Sequence, residues 1–307
     1  DLWNEWSARG ETYDERNARD TWRSIKAGGA TTIGTLFGIA KDHGYRFPAA
    51  DEVQASAPDA AALAEAERLA GLKRQQRDAE AAEYRRRADL AARDAVAMWA
   101  AASPAGQSPY LVRKGVQGHG VRYLPDGTLL VPMIDGAGEL QNLQRIAPER
   151  PADGRPEKRF LPGGRKSGLR HIIGQADGAA VLLLAEGYAT AASVHEATRR
   201  PVVVCFDAGN LVHVAKALRE RWPALPLLVC GDDDSATEAR TGKNPGRDKA
   251  MQAARAAGKA DGLAAVVLPV GLSDGGSDFN DLCHHAGPGA VAELVDAAAA
   301  ALLHGPV

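Results

Sequence analysis

The sequence predicts an α/β protein. A carboxyl-terminal parallel sheet of about four strands flanked by helices follows a small mixed α+β basic subdomain and an amino-terminal helical module. Three observations predict it. Four short apolar runs, at 181–185, 201–206, 227–230 and 264–268, alternate with the helical stretches Tyr188 to Thr198, Asn210 to Trp222 and Gly246 to Ala257. That β-α-β-α-β-α-β order is the grammar of a parallel sheet covered on both faces. Upstream, between Pro104 and Gly178, short β runs are separated by turn residues, and before Pro104 the composition is that of helices.

In chain order, residues up to Phe47 read as small helices: Trp3 and Trp6 on one turn, Asp14 to Lys26 carrying Trp22, and a stretch from Thr31 to Lys41 in which Thr31 or Thr32 serves as N-cap. Their plainest role is a mini-core of the tryptophans with Leu36 and Phe37. From Pro58 to Ala102 the chain is rich in Ala, Glu, Arg and Lys, with no further proline and one internal glycine, Gly71, so it forms one long helix or two. Apolar residues are too sparse for a heptad seam, and a mostly solvated connecting helix is expected. Val121 to Leu124, the turn Pro125-Asp-Gly127 and Thr128 to Ile134 read as a hairpin, and Leu140 to Ile146 as the next strand. The chain divides accordingly at 1–50, 51–103, 104–178 and 179–307.

Composition bounds the function. The 307 residues carry 37 basic and 39 acidic side chains, a near-neutral balance that marks an ordinary globular chain of about two domains. The three cysteines, Cys205, Cys230 and Cys283, are scattered, so neither a disulfide framework nor a zinc site is expected, and a reducing cytoplasm fits. No apolar run approaches the roughly 20 residues of a membrane span, and no leader pattern precedes the first helix. The chain begins at Asp1, the pattern of a piece of a longer protein. Gly163 to Ser167 and Gly242-Lys-Asn both lack the full spacing of a phosphate loop, so no ATPase or helicase engine is read from them.

The chemistry gathers at strand ends. Val181-Leu-Leu-Leu-Ala-Glu-Gly187 and Leu227-Leu-Val-Cys-Gly-Asp-Asp-Asp234 both end in carboxylates at the edge where open α/β sheets hold their ligands. A glutamate directly after an aliphatic run is costly to bury unless a cation meets it, so Glu186 reads as functional. Carboxylates that meet repel one another unless a cation neutralises them, and oxygen-only ligands select Mg²⁺ or Mn²⁺. Asp232 and Asp234 are the candidate ligands. Asp233 points away if the backbone stays extended, toward solvent or a helix cap. Gly187 is expected to let the chain turn closely into its helix. Arg247 and Lys249, at the start of the following helix, are candidate phosphate contacts, and Asp207 is a candidate helix cap.

A strand-end Glu-Gly, a later strand ending in Asp-x-Asp and the acidic cluster Ser277-Asp-Phe-Asn-Asp281 together resemble the Toprim domain of topoisomerases and bacterial-type DNA primases, over about Ala179 to Leu303. The resemblance implies Glu186 as metal ligand or general acid/base, with Asp232 and Asp234 completing the catalytic set. Asp278 and Asp281 match the family's later acidic patch, which adds Asp278 to the candidate metal ligands, with a loop or N-cap role as the alternative. Trp-x-x-Trp-Ser, Tyr13-Asp-Glu, Trp22-Arg-Ser-Ile25 and Gly28-Gly through Thr35-Leu-Phe37 resemble the helical module found beside primase domains in mobile-element replication proteins. Arg113-Lys-Gly and Phe160-Leu-Pro-Gly-Gly-Arg-Lys166 resemble the subdomain that precedes Toprim in plasmid and phage primases.

Within that subdomain Arg145, Arg150, Arg155, Lys158, Arg159, Arg165, Lys166 and Arg170 face only Glu149, Asp153 and Glu157. An ordinary basic surface and a template channel are equal readings of the charge alone. The resemblance favours the channel, with Arg113, Lys114, Lys158, Arg159, Arg165, Lys166 and Arg170 as DNA contacts.

The implied activity is that of a DNA primase, making short RNA primers on single-stranded DNA from nucleoside triphosphates with Mg²⁺ or Mn²⁺, with a replicative helicase as candidate partner and no membrane. The alternatives are a Toprim nuclease and an inactive DNA-binding accessory module. A topoisomerase is disfavoured because its tyrosine-bearing domain has no room here. The sequence departs from the bacterial primases in two ways. The stretch from Ser235 to Asn244, an ordered substrate clamp or a disordered flap, separates the Asp cluster from Pro245-Gly-Arg247, and the amino-terminal zinc module is not among these residues.

Overall fold

The computed structural model describes residues 8, 13–24, 38, 41, 42, 44, 60–258, 261–272 and 275–304. Trp3, Trp6, the N-cap at Thr31 or Thr32, and the mini-core of Trp22, Leu36 and Phe37 lie outside the described backbone or side chains. Two compact units divide the chain, 1–73 and 74–307.

In the first unit, helix α1 (Glu15–Ser24) opens under Asp14, whose Oδ1 accepts from the Asn17 amide at 2.7 Å. Helix α2 (Ala60–Ala101) is one uninterrupted helix of 42 residues. Ala, Glu, Arg and Leu are strong helix formers, and ion pairs such as Glu65–Arg68 and Glu83–Arg87 join successive turns on its exposed surface.

In the second unit the expectation of a solvated helix fails over the last turns of α2. Ala88, Ala91 and Ala95 are buried, and Ala95 and Ala102 pack with Leu130, Leu143 and Leu161. A stripe of alanines at helical spacing carries little hydrophobic signal, yet it is a close-packing face.

Helix α3 (Pro109–Lys114), which the sequence did not announce, buries Tyr110 and ends at Gly115 in the left-handed region. The first sheet is antiparallel, in the order β1 (Arg122–Tyr123), β2 (Leu129–Ile134), β3 (Leu140–Ile146), β4 (Lys158–Phe160). Its side chains alternate: Leu130 and Leu143 face α2, while Leu129, Val131, Met133 and Ile146 enter the main core.

The second sheet runs β5 (His171–Ile173), β7 (Val202–Val204), β6 (Leu182–Ala185), β8 (Leu227–Cys230), β9 (Ala264–Val267). The four expected strands are parallel, and β5 adds an antiparallel edge against β7. At three residues, β5 was too short to announce itself. Reciprocal backbone hydrogen bonds of 2.9 and 3.0 Å between Ile134 and Arg170 tie the two sheets together. Segments 104–178 and 179–307 therefore share one packed unit and one core.

Helices α4 (Tyr188–Thr198) and α8 (Phe279–His304) cover one face of the second sheet, with Tyr188, Phe279, Val291 and Val295 in the main core. Helices α5 (Ala208–Arg221) and α7 (Pro245–Ala256) cover the other, packing Leu211, Val214, Leu218, Ala250 and Ala253 onto Leu184, Val203 and Val229. Strands buried on both faces read as continuous aliphatic runs, as these do. The stretch after Asp234 is ordered: helix α6 (Ser235–Thr241) fills it and Gly242, at φ 72°, ends it.

Helix α8 corrects the sequence reading on one point. It is long and apolar enough by length and composition to cross a membrane. It is kinked at Gly287, followed by Pro288, and buries Phe279, Leu282, Val291, Val295 and Ala299 in the core. Its hydrophobicity is spread over many alanines, which no short apolar run reveals.

Candidate active site

Ala185 pairs with Cys230 across β6 and β8, so Glu186 and the Gly231-Asp232 step leave the sheet on neighbouring strands, about 4.8 Å apart. Burial pushes the Asp232 carboxyl up to about 8, and the charges of Glu186, Asp278 and Asp234 push it the same way against Lys158. Burial also raises Glu186, reinforced by Asp207 and opposed by the Ala208 amide and by Lys158. Asp232 Oδ1 is buried with no hydrogen-bond partner. Such a group is costly to keep, and a cation or a proton satisfies it.

Two glycines allow this crowding. A Cβ on Gly246 would stand 2.6 Å from the Asp232 carbonyl oxygen, and one on Gly231 would stand 2.5 Å from the Ala250 Cβ. Only glycine lets α7 lie this close against the acidic strand end. Gly187 differs from expectation: at φ −107° it uses no special freedom, and a Cβ there would meet Lys158 Nζ at an ordinary 3.6 Å.

Asn244, which the sequence reading passed over, knots the acidic loop. It is buried, its Nδ2 donates to Asp233 Oδ1 at 2.5 Å and to Glu238 Oε2 at 3.1 Å, and its Oδ1 accepts from the Asp234 and Arg247 amides, each at 3.1 Å. Asp234 Oδ2 accepts from the Gly246 amide at 2.8 Å, and Asp233 turns to Asn244 and Arg247. The signal for Asn244 was available: Asn followed by Pro at the start of a helical pattern is a cap sequence, and here it caps α7.

The remaining predicted residues fall into groups. Asp278 Oδ1 accepts from the Asp281 amide at 2.9 Å, the cap role, while its Oδ2 accepts from Thr190 Oγ1 at 3.1 Å and its charge reaches Asp232. Asp281 accepts from the Ser277 amide. Arg247 is held by Glu238, with Asp233 at 3.9 Å, and Lys249 reaches Gln252 at 3.2 Å. Asp207 caps α5 through the Asn210 amide at 3.0 Å and takes Lys166 Nζ at 2.6 Å.

Of the basic candidates, Lys158 lies closest to the carboxylates, with its ammonium against Gly187 and 5.9 Å from the Tyr110 ring centroid. Desolvation lowers its pKa, and the neighbouring Lys114 charge lowers it further. Arg113 pairs with Glu157 and lines a cavity of about 590 Å³ with Lys114, Arg150, Asp281 and His284. Arg159 is exposed and stands opposite Arg145 on β3. Arg165 lies 3.4 Å from Asp135, and Arg170 is buried.

The donor set suits a hard cation: every carboxylate here is an oxygen ligand, and Asp232 Oδ1 is orphaned. Among the described residues no trio of His, Cys, Asp or Glu is already gathered for a metal. Mg²⁺ habitually binds through one or two carboxylates completed by water and phosphate oxygens, so Asp232 and Glu186 fit it.

Residues 181–289 match the family model of the Toprim domain, and residues 1–40 that of Primase C terminal 2 (PriCT-2). Two Escherichia coli proteins, each a DNA primase TraC, are 42% and 41% identical to this chain over 156 residues, 49% of its length. The match spans only 14% and 10% of those proteins. The primase fragment of the bacteriophage T7 primase-helicase is 17% identical, with a TM-score of 0.40 over 61% of this chain and 69% of that one. From the matched strand ends and their carboxylates, the carboxyl-terminal part of this chain holds a Toprim domain.

Proposed function

We propose that this chain is the catalytic part of a metal-dependent DNA primase that makes short RNA primers on single-stranded DNA during replication of a mobile element. The observation that carries the reading is the partly buried, mutually repelling Glu186–Asp232 pair, with a buried, unpartnered Asp232 Oδ1, facing Lys158 at the ends of β6 and β8. The 42% and 41% identity to two proteins named DNA primase TraC supports the same reading. The catalytic set is Glu186, Asp232 and Asp234, with Asp278 beside it. Bound there, Mg²⁺ or Mn²⁺ supplies charge neutralisation at the triphosphate and activation of an attacking 3′-hydroxyl.

The chain's own residues do the rest. Glu186 and Asp232 hold the cation site. Asp234 is fixed by the Gly246 amide, and Asn244 keeps the loop in place. Lys158 brings a positive charge to the mouth of the carboxylate crevice, suited to the phosphates of a nucleoside triphosphate. Lys114 extends that positive flank toward a template strand, whose phosphates basic side chains neutralise, and Arg113 beside it would join only after leaving Glu157. Arg159 adds an exposed charge, while Lys166 and Arg165 are committed to Asp207 and Asp135. Arg247 and Lys249 would reach a phosphate only after leaving Glu238 and Gln252. A replicative helicase partner and a reducing cytoplasm belong to the same proposal.

The test is incubation with mixed-sequence single-stranded DNA, labelled nucleoside triphosphates and Mg²⁺ or Mn²⁺, resolved on a denaturing gel beside Glu186→Ala. New short products that fall at least about 100-fold in the variant are expected. Shortened template without nucleotides would replace the reading with a nuclease, and the same products from Glu186→Ala would remove Glu186 from the site.

A further inference from the structure

A second cavity, of about 640 Å³, lies outside the carboxylate site, at the seam where the Ile134–Arg170 hydrogen bonds join the two sheets. Arg170 precedes β5, two strand spacings or about 10 Å across the sheet from the strand that carries Glu186. The volume falls in the range of small-molecule sites, roughly 300–1,000 Å³.

Its walls combine three chemistries. Arg170 is 94% buried, since only 6% of its surface is exposed, and its Nη1 has no hydrogen-bond partner. Among the described residues no carboxylate forms an ion pair with it. Asp135, the acidic wall nearest to hand, is spent on the Ala137 and Glu139 amides, Gln141 and Arg165. The Asp135 charge reaches the Arg170 guanidinium without pairing with it; a buried guanidinium nitrogen left unpartnered is costly, and an incoming anion relieves that cost. Arg221 adds a second positive charge to the same cavity.

Two indole rings, Trp99 and Trp222, line it, together with the apolar side of Ile172. Trp99 is backed by Arg122, whose guanidinium carbon lies 4.8 Å from the ring centroid, so that the ring is braced from one side. Asp177, at the rim, offers an acceptor for an amino group or a sugar hydroxyl. A planar heteroaromatic body bearing a phosphate satisfies all three walls, because indoles stack on bases and arginines grip phosphates.

We propose that this cavity is a nucleotide-binding site separate from the carboxylate crevice, with the phosphate on Arg170 and Arg221 and the base against Trp99 or Trp222. Its occupant is a free mononucleotide or one nucleotide of a single strand, which share this chemistry.

Calorimetric titration of the 307-residue chain in EDTA, with ATP, adenosine, tripolyphosphate and an eight-nucleotide oligothymidylate, tests it without divalent metal at the carboxylates. ATP or the oligonucleotide is expected to bind more tightly than adenosine or tripolyphosphate, and whichever is tighter identifies the source. Arg170→Met should weaken that binding at least tenfold while leaving the nucleotide-free melting temperature unchanged or higher, and Trp222→Ala should weaken it several-fold. Absence of binding, unchanged affinity in Arg170→Met, or a lowered melting temperature in that variant would overturn the site. Tripolyphosphate binding as tightly as ATP, indifferent to Trp222→Ala, would show an adventitious ion only.

Discussion

Asp232 is a carboxylate held where its charge is least welcome. Burial and three neighbouring carboxylates push its pKa up to about 8, and one of its oxygens has no partner. Without metal the folded chain therefore carries a destabilising charge or an uptake of protons at this position. Asp232→Asn removes the charge at constant shape. In chelator it should raise stability by about 1–3 kcal/mol, read by urea unfolding, while primer synthesis falls to background. Stability and activity should thus move in opposite directions. Gly246→Ala should lower both: its new Cβ would stand 2.6 Å from the Asp232 carbonyl oxygen, an overpacking cost of about 1–3 kcal/mol against backbone that cannot yield. The carboxylates themselves were legible, because an ionisable residue closing an aliphatic strand is anomalous in any sequence. Gly231 and Gly246 were not, since their need lies in how close a distant helix comes. Nor was Phe206, which takes φ 74° to deliver Asp207 to its cap, a conformation that an aromatic side chain gives no hint of.

The elements were legible in proportion to their length and to the strength of their hydrophobic pattern. The parallel strands and helices α4, α5 and α7 follow the alternation of apolar runs and helical periods almost residue for residue. The three-residue β5 and the six-residue α3 carry too few residues to show a period. Helix α6 was hidden for a different reason: Ser-Ala-Thr-Glu-Ala-Arg-Thr buries nothing, so no apolar stripe marks it. What holds it is polar. Its N-terminus starts at Asp234, its Glu238 meets Arg247 and Asn244, and Asn244 returns to Asp233 and the Asp234 amide. That loop-and-helix clamp positions the acidic end of β8. Asn244→Ala leaves the part-buried Asp234 and Arg247 amides and the Asp233 and Glu238 carboxylates without their partner. A loss of about 1–3 kcal/mol is expected by urea unfolding. Primer synthesis should drop at least tenfold, and the metal concentration giving half-maximal rate should rise, because the loop that carries Asp234 loses its backbone anchor. An unchanged metal dependence would mean that the clamp supports the fold without setting the carboxylates.

At the scale of the molecule, the two sheets of residues 74–307 meet in one core, and His171 lies in their seam. It is buried on β5, with its Nε2 2.8 Å from the His119 carbonyl oxygen and its ring stacked near Tyr188 at 6.2 Å between centroids. Sequence alone had set segments 104–178 and 179–307 apart, since a change from antiparallel to parallel pattern says nothing about whether two sheets share side chains. The seam has a measurable consequence. Burial lowers the His171 imidazole to about 4 from its ordinary 6.5, against the His119 carbonyl, which favours the charged form. The unfolded chain therefore binds a proton at this site that the folded chain refuses between those two values. The stability it supports is complete above about pH 6.5 and declines as pH falls toward 4, by about 2 kcal/mol at pH 5. Glu186 and Asp232 act in the opposite sense, because their raised pKa values make acidification stabilising. The histidine is thus isolated by difference: urea unfolding at pH 7.5 and 5.0, for the wild-type chain and for His171→Gln. The fall in stability between the two pH values should be smaller by about 2 kcal/mol in the variant. Equal falls in both proteins would mean that His171 takes up its proton in the folded state, and that the seam between the sheets opens to water.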